Sequence, residues 1–303
     1  MTDRTGTPDT RDPVVPSADR LTPAMLERIA ARSTGARSAA FLDLDKTILA
    51  GSSALLMSRT FFRDGLLSST MVVRSLYAQL VYQLVGADHA QMEQMRETAL
   101  ELTRGWPADR VRELARDTLE EVLVPLVYAE ALELIAQHRS ADRDVWIVST
   151  SGEEIVTPLA DHLGIHDVIA TRSNVDDEGR YDGTVEFYAY AGAKANAIRE
   201  VAAVRGYDLD ECWAYSDSIT DLPMLSVVGH PVAVNPDREL RSAAVAMGWP
   251  TIGFTAPVRL RDRLPDVPTP SRTLLAGAGV ALVGVAAAVW WTRGSRDRRG
   301  RSS

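Results

Sequence analysis

Four short apolar runs, three of them leading into acids or hydroxyls, constrain this chain more than anything else in its sequence. They are Ala39–Leu44 (AAFLDL), Asp144–Ser149 (DVWIVS), Cys212–Tyr215 and His230–Val234. Runs this short and this continuously apolar suit strands buried on both faces, as in a parallel sheet. Helix-length stretches at Glu153–Leu163 and Ala193–Arg205 separate them, with a short strand expected at Asp167–Thr171. Strands alternating with helices predict an α/β fold, a doubly wound parallel sheet of Rossmann-like layout. Asn174–Phe187 carries Asp-Glu-Gly and Asp-Gly turn signals and predicts a β-hairpin. Residues 22–33 read as a leading helix with Pro23 in its first turn.

The interval between the first two core strands is too long for a simple crossover. From about residue 53 to 136 only helical patterns occur, including Ser68–Val85, Gln91–Thr103 and Ala108–Leu123. They are punctuated by Gly86, the Gly105-Trp106-Pro107 cluster and Pro125. The expected organisation is therefore a core of residues 21–52 and 126–270 with an inserted all-helical cap, residues 53–125.

Both ends read differently. Residues 1–20 are polar and Pro-rich, lack the apolar segment of a secretory signal, and are expected to be disordered. Leu274–Trp291 carries no charge over eighteen residues, the length that just reaches a membrane span. Arg272 and Arg293 bracket it, and Trp290–Trp291 suits an interface. We expect residues 273–292 to form one transmembrane helix, followed by a basic tail, 293–303, with the catalytic domain in the cytoplasm. Small residues at 277, 281, 284 and 288 share one helical face and would allow a homodimer. A net charge of −8 excludes a dedicated nucleic-acid binder, and the single Cys212 excludes an intrachain disulfide framework.

The chemistry gathers at strand ends, where open α/β sheets bind ligands. Asp43 and Asp45 flank Leu44 and can face one site once the chain leaves strand geometry. One can then serve as nucleophile and the other as proton donor. Ser149-Thr150-Ser151-Gly152 offers hydroxyls and backbone N–H groups where a strand opens into a helix, an anion cradle. Asp217 and Asp221 lie four apart at a strand-to-helix turn and suit a hard cation such as Mg²⁺. Of 33 basic residues only Lys46 and Lys194 are lysines, and both fall beside these segments. An ammonium is a compact point charge, which Arg cannot imitate.

These motifs, in this order, resemble the haloacid-dehalogenase-like superfamily of aspartyl phosphotransferases, in particular its phosphoserine-phosphatase-like branch with a helical cap. Asp43-Leu44-Asp45-Lys46-Thr47 is similar to its DxDxT motif, Val148-Ser149-Thr150 to its second motif, Lys194 to its lysine motif and Asp217–Asp221 to its acidic fourth motif. The resemblance covers residues 37–250. It implies a Mg²⁺-dependent phosphomonoester hydrolase in which Asp43 takes the phosphoryl group and Asp45 is the acid and base. Ser149, with Thr150 and Thr47, would bind the phosphoryl oxygens, and Lys194 would neutralise charge. Asp43, the Asp45 carbonyl and Asp217 would hold the metal, supported by Asp221.

The resemblance has departures. Phosphoserine phosphatases place a Glu a few residues after DxDxT to receive the substrate ammonium. Here the stretch is Ile48–Ser53, and the next acid is Asp64. Phosphoserine specificity is therefore not carried over, and an apolar cap leaves amphiphilic phosphates open as substrates. The alternatives are a phosphoserine phosphatase, a phosphotransferase with a non-water acceptor, and a catalytically silent, membrane-tethered binding module.

Overall fold

The computed structural model describes residues 18–67 and 97–255. Its centre is β1 (Ala39–Asp43), buried along its whole length. Alternate side chains serve opposite faces, as strand geometry requires. Ala40 and Leu42 join one apolar cluster, and Ala39 and Phe41 join the other. A strand with two dry faces has to lie inside a sheet covered on both sides.

The sheet order is β4-β3-β2-β1-β5-β6-β7. It comprises β2 (Asp144–Gly152), β3 (Asp167–Val175), β4 (Tyr181–Phe187), β5 (Trp213–Ser216), β6 (His230–Val234) and β7 (Thr251–Ile252). All pairings are parallel except β3 with β4. The chain winds outward from β1 through β2 and β3, then returns to β5 on the other side. That reversal puts the crevice at the carboxyl end of β1.

On one face lie α2 (Ser53–Arg63), α3 (Ala108–Asp117), α4 (Ala129–Ser140) and α5 (Glu153–His162). The other face carries α1 (Pro23–Ala31), α6 (Gly192–Arg205), the short α7 (Leu222–Leu225) and α8 (Arg238–Met247). The described part of the stretch between β1 and β2 is helical, including residues 97–103. Its Met57, Phe61, Val111 and Leu114 share one apolar cluster with Leu42 and Ile147 of the sheet.

Several expectations shift in detail. The Ala108–Leu123 helix stops at Asp117, where the Thr118 hydroxyl donates to Leu114 O at 2.6 Å; a π-turn, Leu119–Leu123, follows. The hairpin and the strand before it are one element, because β3 runs on past Thr171 through two register shifts and turns directly into β4. Helix α8 and strand β7 add to the expected elements. The expected membrane span, 273–292, with its small-residue face, the expected helix at Ser68–Val85 and all but residues 18–20 of the lead expected to be disordered, 1–20, lie outside the described residues; Arg20 Nε donates to Glu200 Oε1 at 2.6 Å. Among the described residues, no helix is long and apolar enough to cross a membrane.

Candidate active site

The carboxyl ends of β1, β2 and β5 meet the first turn of α6. Asp43 closes β1 and is buried. Lys194 enters from the first turn of α6, also buried, and donates to Asp43 Oδ1 at 2.7 Å and to Asp221 Oδ2 at 2.9 Å. Asp221 accepts a second bond from Ser216 Oγ at 2.8 Å. Burial opposes the charge on Lys194, but Asp221 and Asp43 outweigh it and hold the ammonium well above its usual range. Burial pushes the Asp43 carboxyl well up; Lys194 opposes this, and Asp221 and Asp45 add to it.

Asp217 follows β5 and is buried too. Burial raises its carboxyl to about 6, partly offset by Lys46 and reinforced by Asp221. Lys46 Nζ stands 4.0 Å from Asp217 Oδ2 on a largely exposed side chain. Its backbone is left-handed, with φ 60°. A residue with a β-carbon resists that conformation by roughly 1–2 kcal/mol, and such strain collects at functional sites. Asp237 fixes the turn from the far side: its N–H donates to Asp217 O at 2.7 Å and its Oδ2 accepts from Ile219 N at 2.9 Å.

Asp45 lies just past the strand, half-buried. Its Oδ1 accepts the N–H of Ser53 at 2.8 Å, so the carboxylate occupies the amino end of α2, where helix donors are free. Its Oδ2 meets Ser151 Oγ at 3.5 Å.

The second segment is displaced from the ladder. Ser149 pairs with Ala170 while Gly152 pairs with Thr171, so Thr150 and Ser151 bulge out of β2. A bulge re-aims side chains next to a site. Ser149 Oγ accepts from Ser151 N at 3.1 Å, which leaves its own proton to donate. The Thr150 hydroxyl donates to Ala189 O at 2.9 Å. That bond, with Ala189 N–H to Thr171 Oγ1 at 3.2 Å, pins the segment ahead of Lys194. The Thr47 hydroxyl is buried and, among the described residues, has no hydrogen-bond partner.

Asp43, Asp45, Lys194, Asp217, Asp221, Ser149 and Thr47 thus sit on segments that converge on one crevice. Asp221 turns out to be bound to Lys194 directly. Ser53, Ser216 and Asp237 join the site beyond the expected residues. Small hydroxyls and a helix-capping Asp leave no sequence mark beyond ordinary turn chemistry.

Residues 40–226 match the haloacid dehalogenase-like hydrolase family. The chain belongs to that family. A Streptomyces azureus protein named for inhibition of morphological differentiation is 50% identical over 264 residues, 86% of this chain and 95% of the relative. A Mycobacterium tuberculosis protein described as a probable phosphatase is 52% identical over 252 residues, 83% and 86% of the two chains. A phosphoserine phosphatase of the same organism is 32% identical, covering 82% of this chain and 80% of its own. In fold, a phospho-aspartyl intermediate analogue of phosphoserine phosphatase superposes with a TM-score of 0.54 at 18% identity, over 75% of this chain and 96% of the other. This haloacid dehalogenase-like hydrolase falls in the phosphoserine-phosphatase-like branch.

The donors present also suit a hard cation. Asp43 and Asp217 are buried carboxylates whose own surroundings leave their ionised forms disfavoured. No cluster of three or more His, Cys, Asp or Glu side chains able to hold a metal occurs among the described residues. Two carboxylates completed by a backbone oxygen and water fit Mg²⁺, which prefers oxygen and keeps much of its hydration.

Proposed function

We propose that this phosphatase is a Mg²⁺-dependent phosphomonoester hydrolase working through a phosphorylated Asp43. The observation that carries the reading is the buried Asp43–Lys194–Asp221 chain, with Asp45 two residues beyond Asp43. Asp43 is the nucleophile. Lys194, held charged by its two carboxylates, offsets the repulsion between Asp43 and an incoming phosphate. Asp45 donates a proton to the leaving oxygen and then takes one from the attacking water. Ser149 and Thr47 bring hydroxyls to the phosphoryl oxygens. Asp43, Asp217 and the Asp45 carbonyl would hold Mg²⁺, which supplies positive charge against the phosphoryl oxygens.

Among the described residues, the stretch that follows Thr47 offers no free carboxylate to a substrate ammonium. Ile48–Ser53 is neutral, and Asp64 is engaged by Arg110 of α3 in a short double contact that holds its carboxyl below the usual range. This favours a substrate without an amino group near the phosphate, over phosphoserine. The uncharged stretch at 273–292 supports a membrane tether, which would bring amphiphilic phosphates within reach.

Phosphate release from a panel of soluble and amphiphilic phosphomonoesters, with and without Mg²⁺, tests this on the full-length chain beside Asp43→Asn. Metal-dependent release that disappears in the variant is the expected result. Equal release by the two proteins refutes the nucleophile. A new phosphoester in place of free phosphate identifies a transferase.

A further inference from the structure

We propose that Ser53 and Ser151 form a hydroxyl pair that positions Asp45 for proton donation and ties the first helix of the insert to the chemistry. The inference rests on the phosphatase reading above. Ser53 Oγ and Ser151 Oγ are 2.7 Å apart, and Ser151 Oγ is 3.5 Å from Asp45 Oδ2. The other oxygen, Oδ1, accepts the Ser53 N–H at 2.8 Å. Both carboxylate oxygens are thereby held, from two separate segments of the chain. Ser53 is fully buried, and Met57 and Phe61 anchor its helix in the same core as the sheet.

Each hydroxyl owns one proton, so the pair has a direction. Ser53 donates to Ser151 and Ser151 donates to Oδ2, so both hydroxyl protons are used and the remaining lone-pair side of Oδ2 is turned toward the site. Because Oδ1 faces an N–H, which cannot accept, the proton that Asp45 delivers is carried on that free side of Oδ2. As Asp43 bonds to phosphorus and the ester P–O bond breaks, that proton passes to the departing oxygen. In the second half, water bonds to phosphorus, one of its protons goes to Asp45 Oδ2, and the Asp43–phosphorus bond breaks. The hydroxyl pair holds Asp45 in place through both steps, so Ser53 and Ser151 are positioning residues.

The test uses leaving groups, which a purely structural role would not distinguish. A nitrophenolate leaves without a proton, whereas an alkoxide needs one. The value of kcat/KM reports transfer to Asp43, including leaving-group departure. We would measure it for p-nitrophenyl phosphate and glycerol phosphate with full-length wild type, Ser53→Ala, Ser151→Ala, the double variant and Ser151→Thr. The expected result is a loss of about tenfold or more on glycerol phosphate for each Ala variant and less than about threefold on p-nitrophenyl phosphate. The double variant should lose no more than the worse single, because one hydrogen-bonded chain is broken once. Ser151→Thr, which keeps the hydroxyl, should restore the alkyl rate. Equal losses on both esters, or none on glycerol phosphate, overturn the proposal. If burial of Ser53 makes its variant unstable, the half-buried Ser151 decides alone. Asp43→Asn is assayed alongside: if it matches wild type, the reading of Asp43 as nucleophile fails and takes this inference with it.

Discussion

Helix α6 carries a buried cation near each end, and the two are bound in opposite ways. Arg205, its last residue, lies at the amino edge of the sheet. It donates to Asp167 at 2.6 Å, to Asp144 at 3.5 Å and to Arg32 O at 2.7 Å. Asp144 is shared further with Thr34 and, in a short contact, Tyr207. Lys194, in the first turn, lies at the carboxyl edge between Asp43 and Asp221, with Asp217 and Asp45 close by in the same crevice. The helix dipole favours a cation at the Arg205 end and opposes one at the Lys194 end. One cluster has donors in plenty. The other has more carboxylate than its own cations balance, which is the condition for binding a metal and repositioning charge during a reaction. A cluster whose carboxylates all meet donors of the fold serves the fold, whereas one with carboxylate to spare serves a ligand.

The largest test of that contrast exchanges the two effects. Asp43→Asn should cost at least about 10³-fold in kcat/KM while leaving the urea midpoint almost unchanged. Arg205→Met should do the reverse. Removing the cation leaves the half-buried Asp167 without its charge partner and Asp144 with only Thr34 and Tyr207, at roughly 3 kcal/mol in urea unfolding, while folded protein keeps kcat/KM within about threefold. A catalytic collapse in the folded Arg205 variant would show that the two ends of α6 are not separable.

His138 tests the amino edge by pH. It is buried, donates to or accepts from Tyr215 OH through Nε2 at 2.8 Å, and is lowered to about 4 by burial and by Arg143. The native state therefore binds fewer protons than the unfolded chain between pH 4 and the unfolded value near 6.5. The stability from keeping His138 neutral is present above about pH 6.5 and is lost as pH falls toward 4. It amounts to roughly 3 kcal/mol by linkage. In urea melts, His138→Gln should flatten that slope; an unchanged slope would assign it to other groups.

At the carboxyl edge the smallest effect is expected from metal. Mg²⁺ at about a hundred times its dissociation constant should stabilise the wild type by roughly 2.7 kcal/mol. Thermal unfolding of Asp217→Asn should show far less gain. Equal gains would move the cation elsewhere.

Much of this was readable in one dimension because it is carried by local pattern. The buried strands β1, β2, β5 and β6 announce themselves as short apolar runs, and Asp43, Asp45, Ser149, Lys194, Asp217 and Asp221 punctuate strand ends or helix starts. The two-residue bulge in β2 was not readable, since it arises from the register of β2 against β3. The side chain of Thr150 was unreadable for the same reason: which way a bulged side chain points depends on its neighbours, and here Ala189 O takes its proton. The membrane stretch, 273–292, is a reading of composition alone, on residues outside those described.

What the sequence determined by itself was the chemistry available: which residues can attack, donate protons or balance charge, and that alternating strands would bring their ends together. Tertiary structure decided the pairing. Lys194 and Asp43 are 151 positions apart, Ser53 and Ser151 are 98, and nothing local tells either residue of its partner. The physical reason is that strand order and register, set by packing both faces of β1, place distant strand ends within hydrogen-bond reach. Burial there then changes what each charge can do.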